Sequence, residues 1–187
     1  YYYEYWKVSN HMSTLSVDTI QGQTTAANVK MPAGSTLQVV SAVKTDTMAI
    51  SGAYADVLSA TITPKYNTSK ILVQVLLNAS HTHRYSGCKL FRGSTQIALG
   101  DATGSVSRVF MSIDSNQDEA TQAYIMRTMS GHFVDSPSTT NATVYKIQCG
   151  LDDGSSTVCS INKMTRSETD NYSLRGITTL TLTEISV

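Results

Sequence analysis

The segment "HTHRYSGC" contains the residues of this chain with the strongest metal-binding character. His81 and His83 are two residues apart, so on a strand their side chains would project from the same face. Cys88 could supply a third ligand, although two imidazoles alone do not complete a closed zinc site. Copies of the histidine pair around a threefold axis would offer enough nitrogen atoms for an octahedral transition metal. The sequence favours the plainer interpretation, a polar loop that binds no cofactor.

A second group, in "GHFVDSPS", contains the residue types of a hydrolase triad. His132, Asp135 and Ser136 are close in sequence, but a triad is defined by its spatial geometry. The sequence motifs for acyl transfer, nucleotide hydrolysis and dinucleotide binding do not occur. "DSNQDEATQAYI" begins like a calcium loop, yet it has Glu119 where Gly is required and Ile125 where the bidentate Glu should lie. We therefore expect no enzymatic activity.

The three cysteines, Cys88, Cys149 and Cys159, cannot form a fully paired disulfide framework. Cys149 and Cys159 could form a cross-strand disulfide in an oxidising setting. Buried thiols that fill small apolar spaces are the more typical interpretation. This cysteine content favours folding in a reducing compartment.

Aromatic and basic side chains in two loop segments are candidates for binding a sugar or a protein. They are Arg84 and Tyr85, which follow the histidine pair, and Arg166 and Tyr172 within "KMTRSETDNYSLRG". Each of them alone is more often an ordinary surface residue. We treat all four as receptor-binding candidates.

The composition indicates an uncharged surface rich in hydroxyl groups. Basic and acidic residues number 14 each, and charged residues make up 15% of the chain, against about 25% in typical domains. Ser and Thr together account for 49 of the 187 residues. We expect neither nucleic-acid binding nor membrane insertion, because there is no excess of basic residues and no apolar run of about 20 residues. Such a composition suits extracellular or particle-borne proteins.

Three regions can be distinguished along the chain. Residues 1–11 hold four of the ten tyrosines and the only tryptophan, and we interpret them as an expression tag or cloning leader. Residues 12–33 contain too few large apolar side chains to form a core, so we expect an extended stalk or attachment segment. Residues 34–187 are predicted to form a single β-sandwich knob domain.

Short apolar runs alternate with turn residues from residue 34 onward, and no helix of ordinary length is visible. The first predicted strands are "STLQVVSAVK" and "AYADVLSATITP", of which the second ends at Pro64. "SKILVQVLLNAS" is apolar on both faces and predicts a central strand that is buried on both sides. "CKLFRGSTQIALG" predicts a hairpin that turns at Arg92-Gly93-Ser94, and "SVSRVFMSI" predicts a further strand.

"ATVYKIQCGLDDGSSTVCSIN" predicts a second hairpin, folded about Asp153-Gly154-Ser155. This pairing would place Ile147 opposite Ile161 and Cys149 opposite Cys159, all on one face of the sheet.

The last predicted strand, "RGITTLTLTEISV", alternates with Leu180 and Leu182 inward and the intervening threonines outward. Ile185 is out of phase with both leucines and is a candidate for a subunit interface. About ten strands at regular spacing predict an all-β fold, an antiparallel, jelly-roll-like β-sandwich with an extended N-terminal segment.

Several segments resemble the tail-fibre and other virion structural proteins of marine tailed phages, in particular cyanophage-like ones. They are "MSTLSVDTIQGQTTAANVKMPAGS", "ITPKYNTSKILVQV", "KLFRGSTQIALGD", "FVDSPSTTNATVYKIQ" and "ITTLTLTEI". The resemblance spans nearly the whole chain from Met12, and the segments are specific as a set. More loosely, the strand pattern is similar to the trimeric jelly-roll knobs of the C1q and tumour-necrosis-factor group, an analogy of fold that does not carry function.

The resemblance implies a virion appendage that folds in the host bacterial cytoplasm. The expected assembly is a homotrimeric tail-fibre knob, attached to other virion proteins by its N-terminal segment and binding a glycan or protein of the host surface. Two alternatives stay open: a capsid decoration protein, and a polysaccharide-degrading tailspike domain, which needs paired carboxylates about 5 to 9.5 Å apart. The family brings no catalytic motif to transfer.

Overall fold

The described part of the protein is built from β-strands. The computed structural model describes residues 31–81, 86–113, 125–151, 158–165 and 171–187. These residues form no helix, and therefore none that could cross a membrane. Their strands are β1 (Thr36–Lys44), β2 (Met48–Ser51), β3 (Ala55–Ile62), β4 (Lys70–His81), β5 (Ser86–Arg92), β6 (Thr95–Ile97), β7 (Met111–Ile113), β8 (Arg127–Asp135), β9 (Thr143–Leu151), β10 (Val158–Ile161) and β11 (Thr178–Ile185).

The strands form two antiparallel sheets. Sheet A has the order β1-β11-β4-β10-β2, with β8 on the other edge of β4, and sheet B has the order β3-β9-β5-β6, with β7 also on β5. In sheet A, β11 pairs with the first part of β4 and with β1, and β10 pairs with the last part of β4 and with β2. The sheet is therefore effectively four strands wide. Successive strands from β2 to β5 and from β7 to β10 alternate between the sheets. This is the sandwich topology of a jelly roll, which confirms the predicted fold class.

The core lies between the two sheets. Sheet A contributes the inner side chains of β4 and β11, among them Leu180 and Leu182, both fully buried as predicted. Sheet B contributes Leu90, Tyr145 and Ile147, which are also fully buried. Alternation along each strand sends every second side chain into this layer.

Asn162 links two places in sheet A: the connection between β1 and β2, and the start of β11. It follows β10, adopts a left-handed φ of 59° and is fully buried. Its Nδ2 donates to the Lys44 and Asp46 carbonyl oxygens between β1 and β2, and its Oδ1 accepts from Thr178 Oγ1 at the start of β11. One amide side chain thus holds the β1–β2 connection against the start of β11.

The β5-β6 hairpin forms as predicted, with Arg92 paired to Thr95 across the turn and Gly93 at a φ of 58°. A glycine is favoured there because other side chains rarely adopt that conformation. The strand predicted from "SVSRVFMSI" is shorter than expected, since only Met111–Ile113 pairs with β5.

β4 is central, but its prediction as a strand buried on both faces is only half correct. Leu72 and Leu76 are half-buried and Gln74 between them is exposed, so the outer side of the first part of β4 reaches solvent. From Leu77 to His81 every side chain is buried.

The predicted pairing of β9 with β10 is wrong. β9 lies between β3 and β5 in sheet B, whereas β10 lies between β4 and β2 in sheet A. Cys149 is therefore opposite Cys88, and Cys159 is opposite His81. The alternation identified side chains that face the core, but both sheets face the same core, so it could not assign the two strands to one sheet.

Candidate functional site

The predicted receptor-binding residues fall mostly outside the described part of the chain. Arg84, Tyr85 and Arg166 belong to segments that the structure does not describe. Tyr172 is described and its side chain is 82% exposed. Leu174 and Ile177, which sequence reasoning missed, are also exposed in the segment that leads into β11. The receptor-binding role of the four predicted residues stays a prediction.

Only one of the two histidines of the predicted metal site lies in the described part of the chain. His81 is buried at the end of β4 and lies opposite Cys159 on the core side of sheet A, while His83 lies outside the described residues. Among the described residues no group of three or more His, Cys, Asp and Glu side chains is placed to hold a metal ion. The metal site therefore stays a prediction.

The residues that resembled a triad do not converge. His132 is exposed on the outer side of β8, whereas Asp135 lies on the core side and is 7% exposed. Ser136 Oγ accepts a hydrogen bond from Lys70 Nζ. No proton relay can run between side chains on opposite faces of one strand.

The most distinctive surface is the outer side of sheet A, where strand pairing aligns side chains into three rows. Each row crosses β1, β11, β4 and β8 in that order. The rows are Val39-Thr183-Leu72-Val134, Ser41-Thr181-Gln74-His132 and Val43-Thr179-Leu76-Ser130. We call these residues the uncharged face, because they include no Asp, Glu, Lys or Arg.

Apolar groups on the uncharged face are unusually open to solvent. Val39, Val43 and Val134 are 58%, 54% and 51% exposed. Between the valines, Ser41 and Thr181 share a hydrogen bond of 3.1 Å. A furrow of about 360 Å³ crosses the face; its lining includes Gln74, Leu76, Ser130, His132, Thr179 and Thr181. The face can therefore offer apolar contact and hydroxyl or amide hydrogen bonds, and His132 is its one ionisable side chain.

The outer side of sheet B has the opposite character. Lys146 Nζ lies 3.0 Å from Asp56 Oδ2, and Gln148 donates to Asp56 Oδ1 over 2.6 Å. The Gln148 amide lowers the pKa of Asp56, helped by Lys146 against the opposing effect of burial. Lys89 Nζ lies 3.5 Å from the centre of the Tyr54 ring. Charged groups on this side are paired with neighbours of the same chain.

Sheet A keeps its carboxylates on the inner side. Glu184 is fully buried and accepts hydrogen bonds from Ser69 Oγ (2.6 Å), Gln38 Nε2 (2.6 Å) and the Lys65 amide (2.7 Å). Burial alone would raise the pKa of Glu184, but these hydrogen bonds outweigh it and hold the pKa below its ordinary value. The carboxylate thus anchors the segment between β3 and β4 to the last strand.

Asp135 at the end of β8 joins the two sheets. Its two carboxylate oxygens each accept a hydrogen bond of 2.9 Å from Arg92 Nη1 on β5. The Tyr145 hydroxyl donates to Oδ2 over 2.6 Å. Burial first, and then the neighbouring carboxylate, raise the pKa of Tyr145 far above its ordinary value. The network is satisfied internally, so it has a structural role.

Comparisons with known proteins supply little. No protein-family model matches the chain, and no curated protein matches it significantly. Among solved structures, the chain is similar to one in the structure of infectious bursal disease virus, Gt strain, with a TM-score of 0.42 and 12% identity. The match covers 92% of this chain and 43% of the other, so this chain spans less than half the length of that protein. A TM-score below 0.5 establishes nothing about function here.

Proposed function

We propose that this protein is a structural component of a phage virion, the knob of a homotrimeric tail fibre that binds the host cell surface. The resemblance of its segments to tail-fibre proteins of marine phages suggests the class. The observation that carries the proposal is the uncharged face, which we assign to contact between subunits. Folding would take place in the host cytoplasm and the N-terminal segment would attach the knob to other virion proteins.

The chemistry of the uncharged face suits a position around the threefold axis of a trimer. Residues near a rotation axis meet their own copies, so a charged side chain there would face a like charge. The three rows contain no fixed charge, and burying Val39, Val43 and Val134 would contribute about 25 cal/mol per Å² of apolar area.

The uncharged face is smaller than a standard subunit interface. Three rows on four strands cover about 20 Å by about 19 Å, a projected area of about 400 Å². A standard interface buries about 800 Å² per partner. The contact would therefore continue beyond the rows to the end of β11, where Ile185 is half-buried and Val187 is 62% exposed. Ile185 is thus proposed to take part in the same contact.

Host binding would use loops away from the uncharged face. Among the described candidates, Tyr172 offers an exposed aromatic ring next to the exposed Leu174. Aromatic and apolar groups of this kind are typical of glycan and protein contacts. Arg84, Tyr85 and Arg166 are proposed to contribute to the same function.

The proposed role is non-enzymatic. A polysaccharide-degrading tailspike needs two free carboxylates in a groove. The buried carboxylates of the described residues, Glu184 and Asp135, are occupied by hydrogen bonds within the chain. Incubation with host polysaccharide should release no reducing ends, and their release would favour the tailspike alternative.

Two measurements test the proposal. Size-exclusion chromatography with light scattering should give the mass of three chains at micromolar concentration, and a clean monomer would contradict the trimer. Purified protein should compete with phage for adsorption to host cells, and Tyr172→Ala should compete less well at an unchanged trimer mass. A trimer that leaves adsorption unaffected would favour the capsid decoration alternative.

A further inference from the structure

Two of the three buried cysteines lie side by side in the middle of sheet B. Cys88 on β5 and Cys149 on β9 are directly opposite each other in the strand register. Their sulfur atoms are 2.6 Å apart, about half an ångström more than a disulfide bond. Opposed residues of antiparallel strands have Cα atoms about 4.5 to 5.5 Å apart, within the range that disulfides span. The backbone therefore needs little movement to join the two sulfur atoms.

We infer that Cys88 and Cys149 are a disulfide-forming pair that closes when the folded protein meets a small-molecule disulfide. The sequence analysis considered a different pair, Cys149 with Cys159, but the strand partners of these residues are Cys88 and His81. Both inferred partners are free thiols in the structure and sit 61 residues apart in the chain. The bond would link β5 to β9 across the centre of the sheet.

The chemistry balances with oxidised glutathione as the oxidant. The thiolate of one cysteine attacks one glutathione sulfur, forming a mixed disulfide and releasing the first glutathione thiol. The other cysteine then attacks that protein sulfur as a thiolate, forming the protein disulfide and releasing the second glutathione thiol. Two protein thiols are oxidised, one glutathione disulfide is reduced, and the two thiol protons end on the two glutathione molecules.

Burial of the pair restricts both steps. Burial, and then the adjacent Cys88 sulfur, raise the pKa of the Cys149 thiol. The first attack therefore starts from whichever of the two thiols is ionised. Both side chains are fully buried, so this attack needs local opening of the sheet. A glutathione adduct cannot fit in the closed core, so closure of the sheet favours the second step.

Cys159 provides an internal comparison. It is also fully buried, and burial followed by the nearby Cys149 raises the pKa of its thiol. However, it faces the core from β10 in sheet A, where its strand partners are His81 and Ile50. Cys159 should therefore remain a thiol under the same treatment.

The proposed virion role would set when the bond forms. The thiols would remain reduced in the host cytoplasm and form the bond after the particle is released into an oxidising medium. The disulfide itself does not depend on that role.

Thiol counting by mass spectrometry tests the pair. The folded, reduced full chain is incubated with oxidised glutathione, alkylated with iodoacetamide in denaturant, weighed and mapped by proteolysis. Wild type should carry one alkylated thiol instead of three, with Cys88 linked to Cys149. Cys159→Ala should carry none and keep the same link. Three alkylated thiols in wild type, or a disulfide that includes Cys159, would overturn the inference.

Light scattering of the same samples keeps this test separate from the proposed function. A trimer with three free thiols would refute the disulfide alone, and a monomer with the Cys88–Cys149 link would refute the trimer alone.

Discussion

The two sheets of the sandwich distribute charge in opposite ways. Sheet A keeps carboxylates inside, at Glu184 and Asp135, and has an outer side whose three rows contain no fixed charge. Sheet B has aliphatic side chains, thiols and Tyr145 inside, and it holds Asp56, Lys89 and Lys146 on its outer side. A sheet that faces only water gains solubility from outer charges. This difference is the basis of our proposal that the outer side of sheet A contacts another protein surface.

The largest expected effect comes from removing the inner charge of sheet A. Glu184→Ala leaves the Ser69 hydroxyl, the Gln38 amide and the Lys65 amide without their acceptor. We expect a loss of about 3 kcal/mol in the free energy of unfolding, because buried unpaired donors are costly. Urea denaturation measures it.

The matched control removes an outer charge of sheet B. Asp56 is 58% exposed at its side chain, and its ion pair with Lys146 is solvated. Asp56→Ala should cost about 0.5 kcal/mol. Equal losses of unfolding free energy in the two variants would contradict the difference that we expect between the inner and outer carboxylates.

The same contrast should be visible as a pH dependence. The pKa of Glu184 is held below its ordinary value of 4.5, so the unfolded chain takes up a proton more readily than the folded one. The stabilisation is complete above that value and is lost as pH falls through the lower pKa of the folded state. Unfolding of wild type and Glu184→Gln between neutral and acidic pH should show a smaller acid loss in the variant. An unchanged acid loss would contradict this role of Glu184.

A smaller effect is expected for the cation on the outer side of sheet B. Lys89→Met retains the aliphatic stem but removes the charge above the Tyr54 ring. The expected cost is about 0.5 kcal/mol, measured by urea denaturation, because the site is near solvent. Lys65→Met, at an exposed position before β4, controls for the loss of one positive charge. A cost near that of Glu184→Ala would mean that outer charges hold sheet B together.

Strand alternation predicted the core of this protein well. The pattern of β11 correctly placed Leu180 and Leu182 inside. The same alternation puts Glu184 on the inner side, a signal that the sequence contained but that was missed because carboxylates are usually exposed. In β11, strand alternation therefore indicates which side of the sheet a side chain occupies more reliably than residue type does.

Long-range pairing was beyond the reach of those patterns. β9 and β10 looked like one hairpin, although they lie in opposite sheets. The uncharged face was also invisible, because Val39, Thr183, Leu72 and Val134 become neighbours only when four distant strands align. Each row needs three pairing registers, and no single segment of the sequence determines any of them.

The most direct test of the contrast introduces the same charge on either side of the sandwich. Val134 on sheet A and Val144 on sheet B are exposed valines in neighbouring strands of the chain order, β8 and β9. Val134→Asp would place a charge within the proposed subunit contact, whereas Val144→Asp would add a charge to the outer side of sheet B. By light scattering at micromolar concentration, Val134→Asp should have the mass of one chain, and Val144→Asp should have the mass of three. Two trimers, or a monomer produced only by Val144→Asp, would contradict the assignment of the uncharged face as the subunit interface.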